Sequence, residues 1–146
     1  LEAYVSARSV DKRTLEGLRD GAESSLTEFL ENEAAFSAFT VFEHAQSKDA
    51  YAIRVIEETA VYLSIGITSI MHILDPDMVI LGGAMNFGAH EMESGRMFIT
   101  TIREKVTAAT FPVLAEQTII DFASLGNHCG FIGAAGIARA QFGTTD

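Results

Sequence analysis

The chain has 146 residues, 48% of them hydrophobic and 21% charged, enough for one compact core and too few for two. Twenty acidic residues against ten basic ones leave a net charge of −10, and the basic residues form no stripe, which disfavours a grip on nucleic acid by this chain. The apolar stretches break well before the roughly 18 residues of a membrane span, and the single cysteine, Cys129, supports neither an internal disulfide nor a thiolate zinc site, which fits a reducing, cytoplasmic setting.

The opening Leu1-Glu2-Ala3-Tyr4 carries neither an initiating Met nor a signal sequence, so further sequence is expected upstream. Leu1, Tyr4 and Val5 predict a helix or helical turn to about Arg8. From Asp11 to Asn32, apolar residues at roughly helical spacing interrupted by Gly17 and Gly21 predict short helices joined by a surface connection. Phe36, Phe39, Val41 and Phe42 open a helix to about Gln46, and Ser47-Lys48-Asp49 supplies a cap for the next.

That next helix is the longest. Ile56, Ala60, Leu63, Ile67, Ile70 and Leu74 recur at steps of three and four and predict one apolar face over about six or seven turns. Pro76 stops it, with Asp75 and Asp77 as turn residues. Met78-Val79-Ile80-Leu81 then reads as a buried strand running into Gly82-Gly83, a helix follows from about Glu91 to Val106, and Thr118 to Phe122 reads as a second strand. Cys129 to Phe142 predicts a last helix whose Gly130, Gly133 and Gly136 imply close approach to a neighbour. Two strands make no stable sheet alone, so an α/β fold with further strands from elsewhere is expected.

The chemistry-bearing feature is the strand that ends in two glycines. Gly82 and Gly83 permit either a tight strand-to-helix turn or close backbone approach to a flat ligand such as adenine. Met85 is placed to cover such a ring, and Asn86 either caps the following helix or touches ribose. Glu2, taken by itself, is an acidic residue near a helix start. His128 and Cys129 read as a loop before the last helix, with Asn127 and His128 as further candidates for the nucleotide cleft. His44, His72, His90 and His128 lack metal-ligand spacing. Five methionines and ten phenylalanines read as core filling.

Three stretches carry a resemblance. The segment YLSIGITSIMHILDPDMVILGGA (62–84), the ending LGNHCGFIGAAGIARAQ (125–141) and the opening LEAYVSA (1–7) are similar to the ROK family of sugar kinases and repressors. In that family a long helix ends in Leu-Asp-Pro, a strand follows, and Gly-Gly lies against adenosine. The resemblance covers nearly the whole chain and is weakest from Asp11 to Asn32. It implies a single partial domain over residues 1–146, the C-terminal part of an actin-like, ribonuclease-H-like lobe, helix-rich with few strands.

The resemblance further implies ATP-dependent phosphorylation of a hexose, with ATP and Mg2+ as cofactors, sugar and ATP as partners, and a homo-oligomer. It gives Gly82, Gly83, Met85 and Asn86 to the nucleotide and Glu2 to a sugar hydroxyl. The family's Asp-x-Gly-Gly-Thr phosphate motif, Asn-Asp catalytic pair, Glu-x-Gly-His segment and zinc cysteines have no counterpart here, so the catalytic base and any zinc are expected outside this chain, which alone would be inactive. A sugar-sensing repressor domain and a noncatalytic helical interaction domain are the alternative readings. The last helix is expected to pack on a part of the family fold that this chain lacks, leaving apolar surface exposed.

Overall fold

The computed structural model describes residues 1–83 and 85–143, with the backbone alone for Asn127. Helix α1 (Glu2–Val5) breaks at Ser6, whose hydroxyl accepts the Ser9 N–H and so caps α2 (Ala7–Arg19). This helix runs straight through Asp11 and Gly17, where sequence reading predicted a break into short pieces. Val10, Thr14 and Leu18, four residues apart, put one buried face on it, and the bare Gly17 leaves room for the Tyr51 ring, whose hydroxyl donates to the Thr14 carbonyl at 3.0 Å.

Two 3-10 segments (Ser25–Glu31 and Glu33–Ala35) lead to α3 (Ala38–Gln46), which Ser37 and Thr40 cap reciprocally. Asp49 then caps α4 (Ala50–Leu74), accepting the N–H groups of Tyr51 and Ala52 at 2.9 and 3.0 Å. At the other end Asp75 takes the left-handed conformation, with φ 45°, and its N–H closes on the Met71 carbonyl before Pro76.

Helix α4 and helix α5 (Glu93–Ala109) form the centre of the core. Ala52, Val55, Ile56, Ala60, Ile67 and Met71 on α4 meet Phe98, Ile99, Ile102 and Val106 on α5, all of them buried. Each such aliphatic side chain contributes about 1.5–3 kcal/mol by leaving water. The predicted stripe holds from Ile56 to Ile67 and then leaves the core: Ile70 and Leu74 are exposed, and Met71 takes the buried position. A straight helix drifts from a seven-residue repeat, so one face stays inward only where a partner follows it.

Arg13 ties the first helices to α4. Its guanidinium donates to the Tyr4 carbonyl and the Thr59 hydroxyl, lies 3.6 Å from Glu58 and sits over the Tyr62 ring. Strand β1 (Met78–Leu81) pairs in parallel with β2 (Ile119–Phe122), Val79 opposite Ile120 and Leu81 opposite Phe122, with the short α6 (Pro112–Gln117) just before β2. Val79, Leu81, Ile120 and Phe122 share the covered face. Met78, Ile80 and Ile119 stand on the open one.

Helix α7 (Cys129–Phe142) follows a 3-10 turn (Gly126–His128) and buries no residue. The glycines that predicted a close neighbour, Gly130, Gly133 and Gly136, have, beyond their own stretch of helix, no atom of the described residues within 4 Å of where a Cβ would stand. Phe131, Ile137 and Phe142 on α7 are 66%, 62% and 83% exposed, and Ile73 and Leu74 add 78% and 69%. Apolar surface on this scale drives association. In the micromolar range this chain is expected to scatter light as species heavier than its 15.8 kDa and to bind an apolar dye, and Ile73→Glu with Phe131→Glu to reduce both. A monodisperse, dye-negative 15.8 kDa chain would contradict this reading.

Candidate functional site

A cavity of about 490 Å³ opens where the first turns of α2 and α3 face the loop after Gly83. Ala7 and Asp11 line it from α2, Ser37, Ala38, Phe39 and Phe42 from the start of α3, and Met85 to Gly88 from the loop. Its volume lies within the range of small-molecule sites, and its walls are mostly apolar with few polar groups. Phe39 is 64% exposed and sits 5.9 Å from the Phe42 ring, so an aromatic surface is open to a flat ligand. Two helices begin at this wall, where their unpaired N–H groups carry partial positive charge, and among the described residues no Lys or Arg lines it.

The loop that forms the third wall is held under strain. Phe87 and Ala89 have φ of 50° and 47°, a region costly to residues with a Cβ, and Gly88 between them has 82°. Several contacts impose this shape. The buried Phe87 ring packs edge-on against Phe98, with centroids 4.9 Å apart, and Asn86 Oδ1 accepts the Gly88 N–H at 3.2 Å. Arg96 donates to the carbonyls of His90 and Glu91, and Gly95 lets the Ala89 backbone press against α5.

Of the residues named from sequence, Met85 and Asn86 line the cavity together. Asn86 does not cap the next helix: α5 begins at Glu93 behind Met92, and the Asn86 side chain closes its own loop instead, because six residues separate it from that helix. Gly82 and Gly83 are exposed and stand short of the wall. Gly83, with φ 99°, makes the turn, and Gly82 makes room for Cys129, whose Sγ lies 2.8 Å from where a Cβ would be. Glu2 stands exposed on α1, outside the cavity. The side chain of Asn127 lies outside the described residues. His128 is exposed, its ring edge-on to Phe131.

Sequence reading missed Asp11, Ser37, Phe39 and Phe42 as cavity residues. Their helices were legible, but nothing local in the chain says that α2 and α3 converge on a loop more than forty residues further on. One other polar group resembles a hydrolase. Ser25 Oγ lies 2.6 Å from His44 Nδ1, with Glu28 4.0 Å beyond Nε2. That hydroxyl also lies 2.7 Å from Asp49 Oδ2, and its single proton goes to the carboxylate. His44 Nδ1–H is therefore the donor to Ser25, and the serine has no base. Among the described residues no three His, Cys, Asp or Glu side chains converge as metal ligands, and no helix is long and apolar enough to cross a membrane.

The ROK family model matches residues 1–141. The chain belongs to the ROK family. It is 27% identical to a glucokinase of Halalkalibacterium halodurans over 141 residues, covering 97% of this chain and 41% of that protein. A glucokinase of Aeropyrum pernix is 32% identical over 118 residues, 81% of this chain and 35% of that one. The ROK family glucokinase of Streptomyces griseus, solved in complex with glucose and AMPPNP, superposes with a TM-score of 0.76 at 21% identity over 95% of this chain and 44% of its own. The chain thus spans about two fifths of the length of these relatives. Its fold is that of part of an actin-like sugar-kinase lobe, α/β and helix-rich with two parallel strands, as the sequence resemblance implies.

Proposed function

We propose that this chain is the adenosine-holding part of an ATP-dependent hexose kinase of glucokinase type. The observation that carries the reading is the cavity between Phe39, Phe42 and Met85, set two residues past the Gly82-Gly83 turn in a chain of the ROK family. An adenine ring would lie between the aromatic pair and Met85. The Asn86 carboxamide nitrogen faces ribose or base, its oxygen being engaged by Gly88. Apolar walls exclude water from the ring faces, and the helix starts at Ala7 and Ala38 favour the negative end of the nucleotide.

Glu2 is proposed at the sugar, where a carboxylate accepts two or more hydroxyl hydrogen bonds and so fixes which hydroxyl is presented. In the reaction that hydroxyl oxygen bonds to the γ-phosphorus, the bond from the γ-phosphorus to the bridging oxygen breaks, and the hydroxyl proton passes to a base. Base and γ-phosphate cradle are assigned to the part of the relatives that this chain does not cover. Mg2+ is assigned to the nucleotide phosphates, where it would neutralise charge.

Formation of ADP from Mg-ATP with a panel of hexoses tests this, comparing this chain with the same chain joined to whatever its gene encodes upstream. Glucose-dependent turnover by the longer protein alone is the expected result. Sugar binding without turnover in the longer protein would transfer the reading to a repressor sensor, and turnover by this chain alone would overturn the assignment of the base. Failure of both to bind nucleotide or sugar would favour an interaction domain.

A further inference from the structure

The loop that walls the cavity is tied to two different neighbours. Phe87, Ala89 and the carbonyls of His90 and Glu91 rest on α5, through Phe98, Gly95 and Arg96. The His90 side chain reaches the other way, to the sheet: its Nε2 lies 2.7 Å from Asp121 Oδ1 on β2, and its ring stands edge-on to Phe122 with centroids 5.2 Å apart. Asp121 is the register partner of Ile80, just before the Gly82-Gly83 turn. The chain that leaves β1 at Leu81 is therefore returned to the sheet at His90.

The Asp121 carboxylate is already held when His90 meets it. The Phe122 N–H donates to Oδ1 at 2.8 Å, and Arg103, whose Nε donates to the Ile120 carbonyl at 2.9 Å, stands 3.3 Å from the same oxygen. The Phe122 N–H is the largest influence holding the Asp121 carboxyl below its ordinary 3.8, opposed by partial burial and helped by His90 and Arg103. A carboxylate has no hydrogen to give, so His90 Nε2 carries one and donates it. Docking on an acceptor already in place costs less side-chain freedom than pairing two loose surface chains.

We propose that His90, through its bond to Asp121, is a positioning residue for nucleotide binding, clasping to the sheet the loop that presents Met85 and Asn86 to the cavity. The proposal rests on the nucleotide reading above and adds to it a residue that does not line the cavity. Its place in the chain gives it leverage. His90 follows directly on Ala89, one of the two non-glycine residues held at positive φ, and such a conformation persists only where its flanks are tied down. With the clasp released, the loop keeps its contacts to α5 alone and gains freedom relative to the sheet. A nucleotide must then order the loop as it binds, and its affinity falls by that cost.

Two readouts on this chain test it: amide hydrogen exchange over residues 87–91 and the dissociation constant for Mg-ATP by calorimetry. In His90→Ala the loop amides are expected to exchange about threefold faster and Mg-ATP to bind about threefold more weakly, the size of effect an exposed charged hydrogen bond supports. Exchange in the α4 core should stay level. His90→Gln is the rescue, since its amide nitrogen can reach the place of Nε2 and donate to Asp121; it should restore most of both values. In an Asp121→Ala background His90→Ala should change nothing further, because the pair acts as one unit. Unchanged loop exchange in His90→Ala, no rescue by His90→Gln, or a full His90→Ala effect without Asp121 overturns the clasp and leaves the nucleotide reading standing. No binding of Mg-ATP by the unaltered chain overturns the nucleotide reading and, with it, the positioning role, whatever the loop exchange shows.

Discussion

Replacing Gly95 by alanine is expected to lower the melting temperature by roughly 5–10 °C and to weaken nucleotide binding about tenfold or more. In an ordinary helix the same change stabilises by up to about 1 kcal/mol, because glycine is the poorer helix former. Here space decides the sign. A Cβ on Gly95 would stand 2.1 Å from the Ala89 carbonyl oxygen and 2.6 Å from its nitrogen, and both are backbone atoms that no rotamer can move aside.

Relief requires the loop to leave α5, at an overpacking cost of about 2–3 kcal/mol. Ala89 already has φ 47° and its N–H holds the Asn86 carbonyl at 2.9 Å, so the shift passes directly to Met85 and Asn86 in the cavity wall. Gly136→Ala is the control, since nothing lies within 4 Å of its Cβ position; its melting temperature should stay level or rise slightly. Equal melting of Gly95→Ala and the unaltered chain would show that the loop does not rest on α5 as described.

Asp49→Ala is expected to cost about 1–2 kcal/mol at neutral pH, the upper part of the range for a lost helix cap. One carboxylate here serves two elements: Oδ1 accepts Tyr51 and Ala52 at the start of α4, and Oδ2 accepts the Ser24 hydroxyl and the hydroxyl and N–H of Ser25. Burial is the largest single influence and raises its pKa. The hydrogen bonds from Ala52, Ser25 and Ser24 together outweigh it and hold the group at about 2, against an ordinary 3.8.

The sign of the pH effect follows. The folded chain binds the proton less readily than the unfolded one, so Asp49 contributes its full stability above about pH 4 and loses it as pH falls towards 2. Its partial exposure keeps the effect below what the shift alone would give. Asp49→Asn keeps an acceptor for the helix start, and its stability should fall less steeply than that of the unaltered chain over that acid window, where Glu93 and Asp121, also held below their ordinary values, still lose stability. Parallel acid unfolding curves for the two would remove Asp49 as the source of that limb.

Local grammar made much of the fold legible. The Asp49 cap, the apolar repeat from Ile56, the turn around Pro76 and the short β-branched strand ending in glycines are each set by neighbours a few residues away, and the chain spells them out. The same holds for Met85 and Asn86, which follow the Gly-Gly turn by two and three positions.

Tertiary contact decided the rest. The α4 stripe shifts after Ile67, where Met71 rather than Ile70 or Leu74 faces α5, and α7 stands open because none of the described residues reaches its glycines. Gly95 looks like any helix glycine until the Ala89 backbone is seen to fill its missing Cβ. Asp11 and Phe39 read as an ordinary helix carboxylate and a core aromatic until α2 and α3 meet the strained loop at a shared wall. Periodicity reports which face of an element avoids water, whereas the identity of the surface opposite it depends on residues dozens of positions away, and no local pattern encodes that distance.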